Sequence, residues 1–104
     1  MIKVSVFYPA DGSPRFDWDY YMNNHIPMVK EKLGGALKSI SVDAGLAGGA
    51  PGAPAPFLAM AQMRFESVDA FQGAFGPVAG EVMADIPNYT DIQPIIQISE
   101  IRNT

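Results

Sequence analysis

One run constrains this chain more than any other: Phe16-Asp17-Trp18-Asp19-Tyr20-Tyr21-Met22-Asn23-Asn24-His25-Ile26-Pro27-Met28. It holds the sole Trp, the sole His and two of the four Tyr. Read as a helix from Asp17, it places Trp18, Tyr21, Met22, Ile26, Val29 and Leu33 at three- and four-residue steps, in one apolar stripe. His25 follows Tyr21 by four residues and falls on the same stripe, so the only imidazole points inward. Pro27 cannot donate to the carbonyl of Asn23, and it disfavours helical geometry at Ile26. A kink or break is therefore predicted at His25, leaving a polar ring at the edge of a core. The start of the helix is well specified. Asp17 suits the N-cap, Asp19 complements the helix dipole, and Phe16 with Tyr21 suits a hydrophobic staple. Gly34 and Gly35 after Leu33 permit a left-handed stop.

Strand patterns flank this helix. Ile2, Val4, Val6 and Tyr8 alternate with Lys3, Ser5 and Phe7, and Pro9-Ala10-Asp11-Gly12-Ser13-Pro14 supplies turn chemistry. Alternation returns over 39–46 with Ile40, Val42, Ala44 and Leu46 on one face. The Gly-Ala-Pro-rich stretch 45–56 has no core-forming pattern and is expected to be a mobile loop. In 57–65, Phe57, Ala59, Ala61, Met63 and Phe65 share one face while Leu58 and Met60 occupy the other, as in a central strand covered on both sides. Ser67 is placed to cap a second helix carrying Val68, Phe71 and Phe75. Gly76-Pro77 interrupts it, and a further helical piece carries Val78, Val82, Met83 and Ile86 before Pro87-Asn88-Tyr89-Thr90 closes it. A last strand is expected over about 91–101, with Pro94 confining it to an edge or bulge. The order strand–helix–strand–strand–helix–strand is the split βαβ, ferredoxin-like α+β arrangement around a four-stranded antiparallel sheet. Such a sheet takes helices on one face, and a second copy of the chain is the simplest cover for the other.

Composition narrows the function classes. At 104 residues the chain is one domain, residues 1–104. A formal net charge of -4, with Lys3, Lys30, Lys32 and Lys38 scattered, argues against nucleic acid. No Cys means no disulfide, thiolate nucleophile or Cys-ligated metal. With one His besides, a protein-built metal or haem site is poorly supported, and no cofactor is expected. The glycine-rich loop lacks a Gly-Lys-Ser/Thr ending, so it is not a P-loop. The chain starts directly in strand pattern and has no apolar run long enough to cross a bilayer, so a cytoplasmic protein without membrane contact is expected.

The pattern Phe16-Asp17-x-Asp19-Tyr20-Tyr21-x-x-x-His25-x-Pro27-Met28 resembles the EthD family. So does the late stretch Ala84-Asp85-Ile86-Pro87-Asn88-Tyr89-Thr90-Asp91-Ile92-x-Pro94. With the element order, the resemblance covers essentially the whole chain. It implies a dimeric α+β barrel in which two ferredoxin-like sheets pack face to face. The family takes its name from a protein required for ethyl tert-butyl ether degradation beside a cytochrome P450 system. Similar barrels include methylmuconolactone isomerases, cofactor-free monooxygenases and polyketide cyclases, and some of these use a His at the position matching His25. The fold follows more directly than any reaction.

The residues supply few candidates for chemistry. An imidazole titrates near neutral pH and can take and return a proton. His25 is therefore the candidate general acid/base, although it can equally tie off a carbonyl freed by Pro27. Tyr21 is the candidate assisting hydroxyl, with stripe packing as its plainer role, and Tyr20 is scaffold. Trp18, Asn88 and Tyr89 are candidate substrate contacts, although core packing and turn chemistry account for Trp18 and Asn88. Asp17 and Asp19 are explained by capping. The first expectation is a cofactor-independent isomerase, cyclase or lyase of organic-compound catabolism, acting on a small apolar molecule in a homodimer. Two alternatives stay open. One is a non-catalytic accessory or small-molecule-binding dimer supporting a P450-type pathway, and the other is a structural dimer with a vestigial pocket.

Overall fold

A computed structural model describes residues 1–12 and 14–104; Ser13, in the turn expected after the first strand, lies outside the described residues. Four strands, β1 (Ile2–Pro9), β2 (Ser39–Ala44), β3 (Phe57–Phe65) and β4 (Ile95–Glu100), form one antiparallel sheet in the order β2-β3-β1-β4. Helix α1 (Trp18–Tyr20) continues through a π turn (Tyr21–His25) into α2 (Ile26–Leu33). On the C-terminal side, α3 (Val68–Phe75) passes through a 3-10 turn (Gly76–Val78) into α4 (Ala79–Asp85) and a second 3-10 turn (Ile86–Asn88). This is the expected βαββαβ, ferredoxin-like α+β fold.

The register assigns the faces. Ile2, Val4, Val6 and Tyr8 oppose Phe65, Met63, Ala61 and Ala59, while Val4 and Val6 oppose Ile98 and Ile96 across the other edge of β1. Side chains alternate along a strand, so all of these share the face that the helices cover. There Val4, Met63 and Phe65 pack with Val29 and Leu33 from α2, Phe71 from α3 and Val82 from α4. Burying each large side chain contributes about 1.5–3 kcal/mol, and this one layer accounts for most of the core. The opposite face mixes Phe7, Met60 and Ile95 at one end with Lys3, Ser5, Gln62, Arg64 and Gln97. Contrary to the simple alternation, a register shift after Tyr8 skips Leu58, which packs with the Tyr8 side, and brings Phe57 onto Phe7 with ring centroids 5.1 Å apart.

Several boundaries differ from the sequence expectation. The first helix does not break at Pro27; the disturbance expected at His25 takes the form of a π turn ending there. The π turn adds one residue, the Ile26 amide bonds the Tyr21 carbonyl, and Pro27 becomes an early residue of α2, where a missing amide costs less than in an unbroken α-helix. The added residue also turns Met22 out to solvent, away from the stripe. β2 stops at Ala44 and Leu46 is exposed, because the chain leaves the sheet at Gly45. Any side chain there would collide with the Phe57 carbonyl. The 45–56 stretch is held across itself by hydrogen bonds from Gly48 N to the Ala53 carbonyl (2.8 Å) and from Gly45 N to the Leu58 carbonyl (2.9 Å). β4 starts at Ile95 rather than Asp91, since Pro94 cannot donate to the ladder, and it is an edge strand as expected. Val68 is exposed. The helix stop at Gly34 is as anticipated, with φ 57°. Among the described residues no helix is long and apolar enough to cross a membrane.

Candidate functional site

The first helix enters under tight control. The Asp17 carboxylate accepts from the Tyr20 amide at 3.0 Å, and Phe16 packs edge-on against Tyr21 with ring centroids 5.0 Å apart. The segment leaving α4 is stitched to the same entrance. The Asp17 amide donates to the Tyr89 carbonyl (2.7 Å), the Thr90 hydroxyl to the Arg15 carbonyl (2.6 Å) and the Arg15 guanidinium to the Pro87 carbonyl (2.7 Å). These ties fix the end of α4 against the π turn, so that two remote stretches meet around one imidazole.

That imidazole is His25, 5% exposed. Its Nδ1 lies 2.9 Å from Oδ2 of Asp85, the last residue of α4. Asp85, whose side chain is 17% exposed, also accepts from the Tyr20 hydroxyl (2.6 Å) and the Asn88 amide (2.9 Å) through Oδ1. Burial alone would raise the Asp85 carboxyl, but the donors Tyr20, Asn88 and His25 together hold it below the usual carboxylate range. Burial pushes the His25 pKa down, and the Asp85 carboxylate only partly offsets this. At neutral pH the pair is therefore a carboxylate and a neutral imidazole. An ionised carboxylate only accepts, so Nδ1 carries the proton and Nε2 keeps its lone pair. Within hydrogen-bonding reach, the polar atom facing Nε2 is the Tyr89 hydroxyl, at a long 3.5 Å. That hydroxyl is 2.8 Å from the hydroxyl of Tyr8.

Between the sheet and the helices lies a cavity of about 210 Å³. Tyr8, Tyr21 and His25 are its only polar lining side chains among the described residues; Val4, Val29, Met63, Phe71, Val82 and others supply hydrocarbon. The Tyr21 ring stacks on His25 with centroids 5.6 Å apart and planes 15° apart. A four-residue step along a helix returns to nearly the same face, which sets the two rings one above the other. Burial pushes the Tyr8, Tyr21 and Tyr89 hydroxyls well above their ordinary pKa, so all three stay protonated.

The candidates from sequence thus fall in different places. His25 and Tyr21 line the cavity together. Tyr89, fully buried, stands behind them, bonded to Tyr8. Asn88 is exposed and serves Asp85, while Trp18 packs on Phe16 and Tyr21 outside the lining. Tyr20, read as scaffold, holds Asp85. Sequence reasoning missed Asp85 and Tyr8. A signal for Asp85 existed: a carboxylate in the last turn of a helix opposes the dipole and needs donors nearby. Among the described residues no three His, Asp or Glu side chains converge as a metal site.

Known proteins share this arrangement of the chain. The EthD domain model matches residues 10–93. The crystal structure of an EthD-like protein from Ralstonia eutropha JMP134 is 46% identical, with 98% of this chain and 92% of that chain covered and a TM-score of 0.92. An EthD family protein from Bacillus halodurans C-125 superposes with a TM-score of 0.68 at 20% identity over 97% of this chain and 98% of its own. The hydroxynitrile lyase from Passiflora edulis does so with a TM-score of 0.68 at 18% identity, over 99% and 94%; these two likenesses speak for the fold alone. Among curated proteins none matches significantly. A domain match over most of the length, joined to a superposable relative of high identity, establishes that the chain belongs to the EthD family.

Proposed function

We propose that this EthD protein is a cofactor-independent proton-transfer enzyme of isomerase, cyclase or lyase type, acting on small organic molecules in catabolism, with His25 as general acid/base. The observation that carries the proposal is His25, buried in the wall of an apolar cavity with its Nδ1 held at 2.9 Å by the partly exposed Asp85 carboxylate behind it. Nε2 takes a proton from an acidic C–H or O–H of the substrate, and the electron pair moves onto a carbonyl or leaving-group oxygen. A hydroxyl of Tyr8 or Tyr21, kept protonated by burial, donates to that oxygen. The Asp85 carboxylate offsets the imidazolium charge until the proton returns to a different atom or to the leaving group. Proton out and proton in balance, so no external oxidant or reductant enters. That the Passiflora protein with this fold is named a hydroxynitrile lyase agrees with lyase chemistry on the scaffold.

In the same proposal the protein is a homodimer. The apolar end of the bare sheet face, Phe7, Phe57, Met60 and Ile95, is the surface that a second copy would cover. A second reading, an accessory dimer that holds a small molecule for an oxygenase pathway, draws support from the hydrocarbon lining, which binds without needing to react. Proton NMR in D2O separates the two. A panel of small ketones and lactones should lose α-proton signal faster with protein than with buffer, and His25→Gln should slow this by about 10²–10⁴-fold. Equal exchange by both proteins would remove His25 from the chemistry and favour the accessory.

A further inference from the structure

We infer that the cavity selects an uncharged molecule of about eight to ten non-hydrogen atoms with one polar end, seated with that end at His25 and its hydrocarbon towards Phe71 and Phe75. The inference rests on the acid–base reading only for which atom reacts. The rest follows from size, polarity and charge.

Size comes first. A cavity of about 150 Å³ lined by hydrocarbon takes benzene. In proportion, about 210 Å³ takes on the order of eight to ten non-hydrogen atoms. The wall is almost wholly hydrocarbon, and the little polarity it has lies on one side. Tyr8, Tyr21 and His25 are neighbours, with successive ring centroids 5.8 Å and 5.6 Å apart. The remainder of the lining is apolar and includes the stacked rings of Phe71 and Phe75, 5.3 Å apart. A second polar group on the ligand would be buried there without a partner, which costs more than one good hydrogen bond returns.

Charge is excluded for both signs. No Lys or Arg lines the cavity, so a carboxylate would lose its hydration with no cation to meet it. It would also approach Asp85, which is already anionic behind His25. A cation gains little from Asp85, because Tyr20, Asn88 and His25 already engage both carboxylate oxygens. The way in is apolar too. Met83 and Ile96, 44% and 45% exposed, are the most exposed lining residues and mark the mouth between α4 and the edge strand β4.

The test uses the full chain and three probes: acetophenone, its isostere benzoate, and the larger benzophenone. In NMR titrations at pH 7, acetophenone should saturate and shift the His25 and Tyr21 ring resonances, with benzoate at least about 100-fold weaker. Benzophenone should not bind the natural chain but should bind Phe75→Ala, whose lost ring lengthens the slot. Benzoate binding as tightly as acetophenone would overturn the inference, and so would benzophenone binding the natural chain. Failure of acetophenone to bind up to its solubility limit would do the same. Acetophenone also has exchangeable α-protons, which keeps the two proposals apart. Selective binding without exchange in D2O would sink the acid–base reading and leave the selectivity standing. Exchange with no preference over benzoate would do the reverse.

Discussion

Asp85→Asn tests the site most directly, because it keeps shape and removes charge. Asp85 receives three hydrogen bonds, from Tyr20 at 2.6 Å and from Asn88 and His25 at 2.9 Å each. A hydrogen bond to an ionised group is worth about 1.5–3 kcal/mol net and a neutral one about 0.5–1.5 kcal/mol. Neutralising the acceptor therefore loses on the order of 1 kcal/mol per bond. Two effects act the other way: the burial cost of the charge disappears, and an anion leaves the C-terminal end of α4, which returns about 0.3–1 kcal/mol. The net loss of stability should be about 1–2 kcal/mol, small enough to leave the fold intact. The chemical effect should be larger. If the new amide turns its NH2 to Nδ1, that nitrogen becomes the acceptor, the proton moves to Nε2, and the base is gone. In Ser-His-Asp triads the equivalent change lowers kcat by about 10⁴-fold; with no covalent nucleophile at stake, about 10²–10⁴-fold is expected in the exchange assay. The imidazole 15N shifts read the tautomer independently of any substrate. A variant that stays folded, keeps the Nδ1–H tautomer and exchanges protons within threefold of the natural chain would refute the reasoning.

Three further outcomes follow from the same geometry. Tyr89→Phe removes the hydroxyl that bonds Tyr8 and faces Nε2, leaving Tyr21 as the remaining partner of the buried Tyr8 hydroxyl; a loss of about 0.5–1.5 kcal/mol is expected in urea titrations, and unchanged stability would mean that the Tyr8–Tyr89 bond contributes nothing. Because the folded His25 pKa lies below its ordinary 6.5, the unfolded chain binds a proton that the folded chain refuses. Stability should therefore be full above pH 6.5 and fall as pH drops below it, by at most about 1.4 kcal/mol per pH unit. The lowered Asp85 adds a second loss below its ordinary 3.8. His25→Gln should flatten the first step, whereas stability rising from pH 7 to 5.5 would contradict the burial argument. For assembly, light scattering should give a dimer mass for the natural chain and a monomer for Met60→Asp, which places a charge in the apolar end of the bare face; a monomeric natural chain would end the dimer proposal.

The sheet and the order of elements were legible because alternation and three-to-four spacing report burial directly, and nearly every buried strand residue sits where alternation puts it. What failed was local and has local causes. Leu46 continues the alternation of β2 on paper, but the close approach of the Phe57 carbonyl to Gly45 ends the strand first. For Asp85, the position at a helix end signals a need for donors but does not say which residues supply them. Its partners Tyr20, His25 and Asn88 lie 65, 60 and 3 residues away, and no periodicity links a helix end to a helix middle. Tyr20 was set aside because it is off the apolar stripe. Yet that offset is what points its hydroxyl along the protein surface to Asp85 while Tyr21 turns into the cavity.

The π turn connects these misses to the chemistry. A regular helix would meet Pro27 with an unsatisfied carbonyl and a ring clash, at a cost of about 3 kcal/mol. Widening one turn avoids most of that, and the wider turn spans Tyr21–His25. In and just after that turn the Tyr21 ring stacks on the imidazole, His25 and Ile26 are buried side by side, and Met22 faces solvent. Pro27 was read correctly as a disturbance but with the wrong result, because sequence alone does not say whether a helix breaks or widens. Tertiary packing decides it: Val29 and Leu33 gain burial only if the helix axis carries on past the proline. The imidazole is thus presented by a continuous, packed element rather than by a frayed end. That rigidity is what a general base needs if Nε2 is to hold one position while Asp85 holds the other nitrogen.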